Sequence, residues 1–371
     1  MKNKLNYFDN IVIGTSPLML LVTINIAKKG DSVLVIDKDK NYGGCWQVHK
    51  NKKMQYECAS HLIESYPGVY KILEEYSSIK FIPLKRDPIR VFRNGLIIPY
   101  ENWLIIFITF WKLLFGYILF SFKFFILKIK KEEKINYQIK LIDFLRYRIK
   151  NIFKKKVLLG PINGYASLID GLINNCKKYD VEFVKGEVNF INDKNNSWEI
   201  KLKDEIYYYC KYLHSTSNIN IKRISQKKFE FYKRYEKKRV SIIVRIPLKN
   251  ILLMQSYVSI IGDKYFSRIN RIDQYNLSKK YAFYLLEIRK IDLISSKSLK
   301  QKIGEILKLS KIIKCNLNFE ILEIFSTNYG KNSDQLIIKN NNKFSSYYSN
   351  GNLAAGIHNW LVKSKQVKNF I

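Results

Sequence analysis

Residues 11–46 read IVIGTSPLMLLVTINIAKKGDSVLVIDKDKNYGGCW, a pattern of strand, turn, helix and second strand. The turn decides what the unit can hold. A strand-to-helix turn that takes a dinucleotide needs one glycine for the tight turn. It needs a second so that backbone can approach a pyrophosphate, and a third so that the helix packs closely on the strand. Here Gly14 stands first, Ser16 second and Met19 third. Ser16 is small enough to preserve backbone approach, and its hydroxyl can donate to phosphate. Met19 pushes the helix outward, while Pro17 suits a first helical turn, where its missing N–H costs nothing. Asp37 ends the second strand 23 residues after Gly14, where an acid would take ribose hydroxyls, and Gly43-Gly44 follow it.

The chain of 371 residues is long enough for two domains, and with 47% hydrophobic and 14% aromatic residues it is globular. The apolar run at 11–24 contains the Gly14 turn and leads into another strand, which is not how a secretory signal reads. Cys45, Cys58, Cys176, Cys210 and Cys315 are scattered and never in C-x-x-C spacing. That argues against a zinc site or a disulfide framework and for a reducing compartment. No metal-ligand, paired-carboxylate or serine-triad pattern stands out. The net charge of +34 comes from lysines spread along the whole length, in a chain crowded with Lys, Ile, Asn and Tyr as an A/T-rich genome would encode. No nucleic-acid module accompanies it, so an anionic membrane surface is the expected partner rather than nucleic acid.

Residues 103–127, WLIIFITFWKLLFGYILFSFKFFIL, give the membrane expectation its substance. As one helix they span roughly 37 Å. Lys112 and Lys123 fall about 20° apart around the axis, with Thr109 and Gly116 within about 60° of them. One polar stripe on an apolar cylinder suits a helix lying in the bilayer interface with its lysines reaching the headgroups. Trp103 and Trp111 near one end, and Lys128, Lys130 and Lys131 beyond the other, suit the water boundary. A buried core helix and a true membrane span are the alternatives. Beyond it come a basic amphipathic stretch at 141–157, a helical pattern after Gly164, strands near 181–184, 188–191 and 198–214, strand-like runs over 239–289, a helix at 297–313, a strand at 319–326 and a closing turn and helix.

Four further stretches, in order, extend the reading beyond the turn: ECASHLIES (57–65), GPINGYASLIDGL (160–172), VEFVKGEVNFI (181–191) with YYYCKYLHSTSN (207–218), and GNLAAGIHNW (351–360). With the opening turn they resemble the FAD-binding superfamily that includes UDP-galactopyranose mutases, protoporphyrinogen oxidases, phytoene desaturases and flavin amine oxidases. The resemblance implies an α/β fold: a discontinuous Rossmann-like FAD-binding domain from 1–100, 156–238 and 319–371. It further implies a substrate sheet over 239–318 and an apolar helical, membrane-surface segment at 101–155. It implies FAD as cofactor, held by Gly14, Ser16, Asp37, Gly43, Gly44, the backbone near Val188, and Gly351, Asn352 and Leu353. Met19, Asp37 in place of the commoner Glu, and Asn352 in place of Asp depart from the pattern.

The resemblance assigns His61 to the flavin face as proton relay or polarising donor, with Glu64 replacing a second histidine. Tyr165 would border the pocket, and Arg268 and Arg271 are the nearest candidates for gripping a substrate pyrophosphate. Cys45 and His358 read better as a small hydrophobe and a capping or core residue. Glu64 and Glu287 can act as bases only if buried. The implied activity is FAD-dependent oxidation or mutase-type isomerisation of a hydrophobic, lipid-linked or nucleotide-sugar substrate, in surface-glycan or isoprenoid chemistry at the cytoplasmic membrane face. A non-catalytic prenyl- or lipid-binding protein of the GDI type is the rival from another class, and an NAD(P)-dependent reductase the third reading.

Overall fold

The structure, a computed structural model, describes residues 6–39, 41–51, 54–57, 62–63, 66, 68–84, 88–100, 102–127, 159–194, 197–216, 221–223, 228–231, 236–272, 280–289, 298–314, 319–330, 344–347 and 353–364. The opening unit folds as β1 (Tyr7–Ile13), α1 (Pro17–Ala27) and β2 (Val33–Asp37). β1 pairs in parallel with β2 on one side and with Tyr207–Thr216 on the other. Glu182–Lys185 extends the parallel block beyond β2, and Phe344–Tyr347 pairs in parallel with the end of Tyr207–Thr216. The block thus draws on three separate stretches of chain, giving the discontinuous α/β sheet expected. Val188–Asp193 and Trp198–Leu202 form an antiparallel ribbon leading into Tyr207–Thr216, so the full sheet has nine strands.

Strand alternation sorts the two faces. Val12, Val33 and Val35 join the core that holds α1, whereas Ile11, Ile13, Leu34 and Ile36 join a second core with Val188, Ile191, Trp198 and Leu213. α1 is apolar on every side and buried almost throughout, as a helix enclosed on all sides must be. It packs against α4 (Gly164–Lys178) and α6 (Leu353–Lys363), and touches α2 (Val69–Ser77). α4 crosses α2 at very close range, because a Cβ on Gly171 would lie 2.2 Å from the Ser77 carbonyl oxygen.

The second sheet has seven strands in the order Glu320–Gly330, Glu236–Pro247, Tyr281–Ile288, Phe266–Arg271, Tyr257–Ile261, Ile89–Phe92, Ile97–Pro99. α5 (Leu299–Leu309) covers one face, joining Val240, Ile242, Val244, Tyr284 and Leu286 in a common core. The strands at 89–99 and 320–330 fall within stretches read from sequence as parts of the nucleotide domain, yet they pair here. Strand pairing is a tertiary choice that alternation alone does not disclose.

α3 (Trp103–Leu127) follows the edge of this sheet, with its Leu104 N–H capped by the Asn102 Oδ1 at 2.8 Å. The face it turns outward is apolar. Trp103, Phe107, Trp111, Phe115 and Phe122, with Leu104, Ile108, Ile118 and Leu119, are each 50–66% exposed. Thr109 and Gly116, expected to share a water-facing polar stripe with Lys112, are half-buried. The exposure of those nine side chains also rules out the buried-core alternative for this helix. Among residues with described side chains, no helix is long and apolar enough to cross a membrane.

Candidate nucleotide site

The turn at Gly14 lies at the C-terminal edge of β1. There the chain departs to β2 on one side while Tyr207–Thr216 lies on the other, the switch point at which open parallel sheets take ligands. Gly14 has φ +98°, a conformation glycine adopts without the cost a Cβ imposes. A Cβ placed there meets nothing within 4 Å, so the space above the turn is open to a phosphate. Its N–H donates to the Ile36 carbonyl at 2.8 Å, locking the turn against the end of β2.

Asp37 is 7% exposed and already engaged. Its Oδ2 accepts the Thr15 N–H at 2.8 Å and the Thr15 hydroxyl at 2.5 Å, and its Oδ1 accepts the Asp39 N–H at 2.9 Å. The Thr15 Oγ1 in turn accepts the Gly43 N–H at 2.9 Å. Thr15, fully buried, therefore ties the first turn, the acid and the Gly43-Gly44 loop together. A carboxylate offers about four acceptor positions. Three are taken within the described residues, which leaves one on Oδ1 for a ribose hydroxyl. Gly43 (φ +117°) has no room for a side chain, since its Cβ would fall 2.9 Å from the Gln47 nitrogen. Gly44 (φ +57°) lies against Ser16, at 3.6 Å from its prospective Cβ. Tyr42 feels the same charge: burial first, then Asp37, raises its pKa.

Of the other expected cofactor positions, Val188, Ser16 and Leu353 lie within the described residues. Gly186 N–H donates to the Asp37 carbonyl at 2.9 Å, which brings the chain leading into Val188 beside the acid, and Val188 itself is buried. Ser16 is the N-cap of α1 and makes no side-chain cap bond. With Pro17 lacking an N–H, Ser16, Leu18 and Met19 carry the amides of the first turn that an α-helix leaves unbonded. Met19 is completely buried in the α1 core and its carbonyl takes the Thr23 hydroxyl at 2.8 Å. Leu353 opens α6 and is buried in that same core. These residues fit a dinucleotide: open space over a positive-φ glycine, a buried acid at the ribose position, and first-turn amides between them. His61, Glu64, Gly351 and Asn352 lie outside the described residues, as does the side chain of Cys45.

Tyr165 is 2% exposed and packs edge-on against Trp46 at 4.9 Å, so it braces the Gly44–Trp46 turn from within the core. His358 is buried with its ring 6.0 Å from Tyr66. Arg268 and Arg271 do not share a face. Arg268 stands opposite Glu287, whereas Arg271, 2% exposed, stands opposite Tyr284 on the α5 side. The partner that sequence reasoning missed is Arg90. Reading across the register, Arg90, Ser259, Arg268, Glu287 and Ser241 form one row on the face away from α5. Arg90 is positioned by its own neighbours: Nε donates to the Tyr100 carbonyl at 2.7 Å and the guanidinium stacks 4.1 Å above that ring. Tyr100 meets Tyr257 edge-on at 5.7 Å. Burial raises the Tyr257 pKa, with Arg268 opposing and Tyr100 and Glu287 adding to it, so these groups share one electrostatic neighbourhood. Glu287 is 1% exposed, and the Ser267 hydroxyl donates to its Oε2 at 3.3 Å. Two residues three apart on a strand point to opposite faces, a signal present in the spacing of Arg268 and Arg271.

No family model and no curated protein matches this chain. Solved structures do. Wild-type putrescine oxidase bound to putrescine superposes with a TM-score of 0.62 at 9% identity, covering 98% of this chain and 99% of its own. The fold is the one seen in putrescine oxidase. An oxidoreductase from Methanosarcina mazei (TM-score 0.60, 13% identity, 95% and 99% covered) and a reduced UDP-galactopyranose mutase (0.55, 13%, 89% and 85%) share it. So does a Rab GDI from Plasmodium falciparum (0.52, 13%, 96% and 98%).

Proposed function

We propose that this chain is a FAD-dependent oxidoreductase or flavin-dependent mutase acting on a hydrophobic, lipid-linked or nucleotide-sugar substrate at a membrane surface. The observation that carries the cofactor reading is the buried Asp37–Thr15–Gly43 network beneath the open space over Gly14. In this reading Asp37 Oδ1 takes a ribose hydroxyl of the adenosine and the backbone near Val188 lies along the adenine. The Gly14 turn and the first-turn amides of α1 hold the pyrophosphate. A bound flavin would supply hydride acceptance and donation. The protein's share is to hold the dinucleotide, present the substrate and exclude water.

The row Arg90–Ser259–Arg268–Glu287 supports a substrate with an anionic group beside its reacting part. Guanidinium forks suit phosphate and carboxylate, and Arg90 and Arg268 lie two strands apart, about 10 Å between backbones. UDP-galactopyranose mutase and putrescine oxidase share the fold, so the fold does not choose between isomerisation and oxidation.

A second reading, a non-catalytic lipid binder, is favoured by the exposed apolar arc of α3 and by the likeness to a Rab GDI. Titrating the flavin-stripped protein with FAD and with NADPH, following flavin fluorescence and tryptophan quenching, separates the readings. Saturable FAD binding that is lost in Asp37→Ala is expected. Binding of NADPH alone would favour a reductase, and binding of neither nucleotide would favour the lipid binder.

A further inference from the structure

A helix on the surface of a water-soluble domain turns its apolar face inward. α3 does the opposite. With Leu104 and Phe122 at the centre, Phe107, Ile108, Trp111, Phe115, Ile118 and Leu119 all fall within about 60°. Lys112 sits about 80° from the centre, at the edge of this arc, while Thr109 and Gly116 lie about 120–140° away on the half-buried side. The arc runs about 27 Å along the axis. At ~100 Å² per half-exposed side chain its eight side chains present roughly 800 Å², above the 300–600 Å² of the largest patch on an ordinary monomer.

We propose that α3 lies in the interface of an anionic bilayer, with the Leu104–Phe122 arc embedded and Lys112 at the water line. This names the partner for the membrane-surface part of the functional reading above and rests on that part, not on the flavin. Charge selects the occupant. The chain carries +34, so a second copy brought to this face would add as much positive charge again, whereas anionic headgroups are attracted. Trp103, about 100° from the arc centre, fits the headgroup level where amphipathic rings sit, while Trp111, about 20° from it, lies among the embedded side chains.

The molecule carries its own probe. Trp46, Trp198 and Trp360 are 9%, 1% and 6% exposed, against 52% and 51% for Trp103 and Trp111. Full-length protein, with detergent removed, would be mixed with vesicles of phosphatidylcholine alone or with about 30% phosphatidylserine, some made with brominated acyl chains. Expected are binding at least ~10-fold tighter to the anionic vesicles and quenching of tryptophan emission by the brominated chains. Phe115→Ser/Phe122→Ser should weaken binding about 30-fold with unchanged circular dichroism. Absence of binding to anionic vesicles would overturn the proposal, as would binding that salt fully reverses without bromine quenching. A lipid-independent dimer that shields Trp103 and Trp111 from iodide would overturn it in favour of a second copy. Absorbance of the same samples keeps the two readings apart: a colourless protein that binds vesicles removes the flavin and leaves the membrane contact standing.

Discussion

Thr15→Val tests the nucleotide site at its centre, because valine keeps the shape of threonine and removes only the hydroxyl. Two interactions go: the donation to Asp37 Oδ2 and the acceptance of the Gly43 N–H. A hydrogen bond to a charged group is worth roughly 1.5–3 kcal/mol, and a buried N–H left without a partner costs about 1–3 kcal/mol. Thr15 is fully buried and the Gly43 loop is held in a positive-φ turn, so water offers little compensation. Allowing for relaxation, the loss is about 3 kcal/mol. At ~2.1 cal/mol/K per residue, a chain of 371 residues has an unfolding entropy near 0.8 kcal/mol/K, so the melting temperature should fall by about 4 °C. Loosening of Gly43-Gly44 should also weaken FAD binding, by about 10–100-fold. Thr15→Ser restores the hydroxyl and should recover most of both losses. Differential scanning calorimetry of the flavin-free variants, paired with FAD titration, reads the two effects separately. If Thr15→Val melts and binds like wild type, the hydroxyl does not join the turn to the acid.

Three other outcomes follow from the same geometry. Gly14→Ala adds a Cβ to open space at φ +98°, so it should cost only about 1–3 kcal/mol of stability yet lower FAD affinity disproportionately, as paired calorimetry and titration would show. Gly171→Ala sets a Cβ 2.2 Å from the Ser77 carbonyl and must force α2 and α4 apart, at about 3 kcal/mol in a urea melt with no selective effect on nucleotide affinity. His214 is buried against the Asn10 Oδ1 at 2.9 Å, and burial lowers its pKa from 6.5 to about 4. The unfolded chain therefore takes up a proton below pH 6.5 that the folded protein refuses until about pH 4. Stability should fall by about 3 kcal/mol as pH drops through that window, and His214→Gln should flatten this part of the pH profile of unfolding.

The parts of the fold set by local chemistry were legible in the chain. Gly14, Pro17 and the apolar runs announce β1, α1 and β2, and Asp37 falls at the end of β2 where a ribose acid belongs. Thr15 was not legible, because its role exists only once the Gly43 loop folds back onto the turn 28 residues earlier. Arg90 was hidden in the same way. It joins Arg268 through Ser259 across two strand pairings that no local pattern encodes. The separation of Arg271 from Arg268 is legible in the spacing, since three residues along any strand put two side chains on opposite faces. For α3 the exposed apolar side chains and the exposed Lys112 fit the pattern read from the sequence, whereas Thr109 and Gly116 turn to the covered side. Periodicity places Lys112, Thr109 and Gly116 on a common side without stating which side the rest of the protein covers.

The most direct test of the account is an absorbance spectrum of the purified full-length protein, before and after acid release of any bound cofactor. The account predicts a flavin spectrum with FAD in the released fraction, in amounts that drop in Asp37→Ala. A colourless wild-type protein that also fails to take up added FAD would contradict it and leave this fold serving a lipid-binding role.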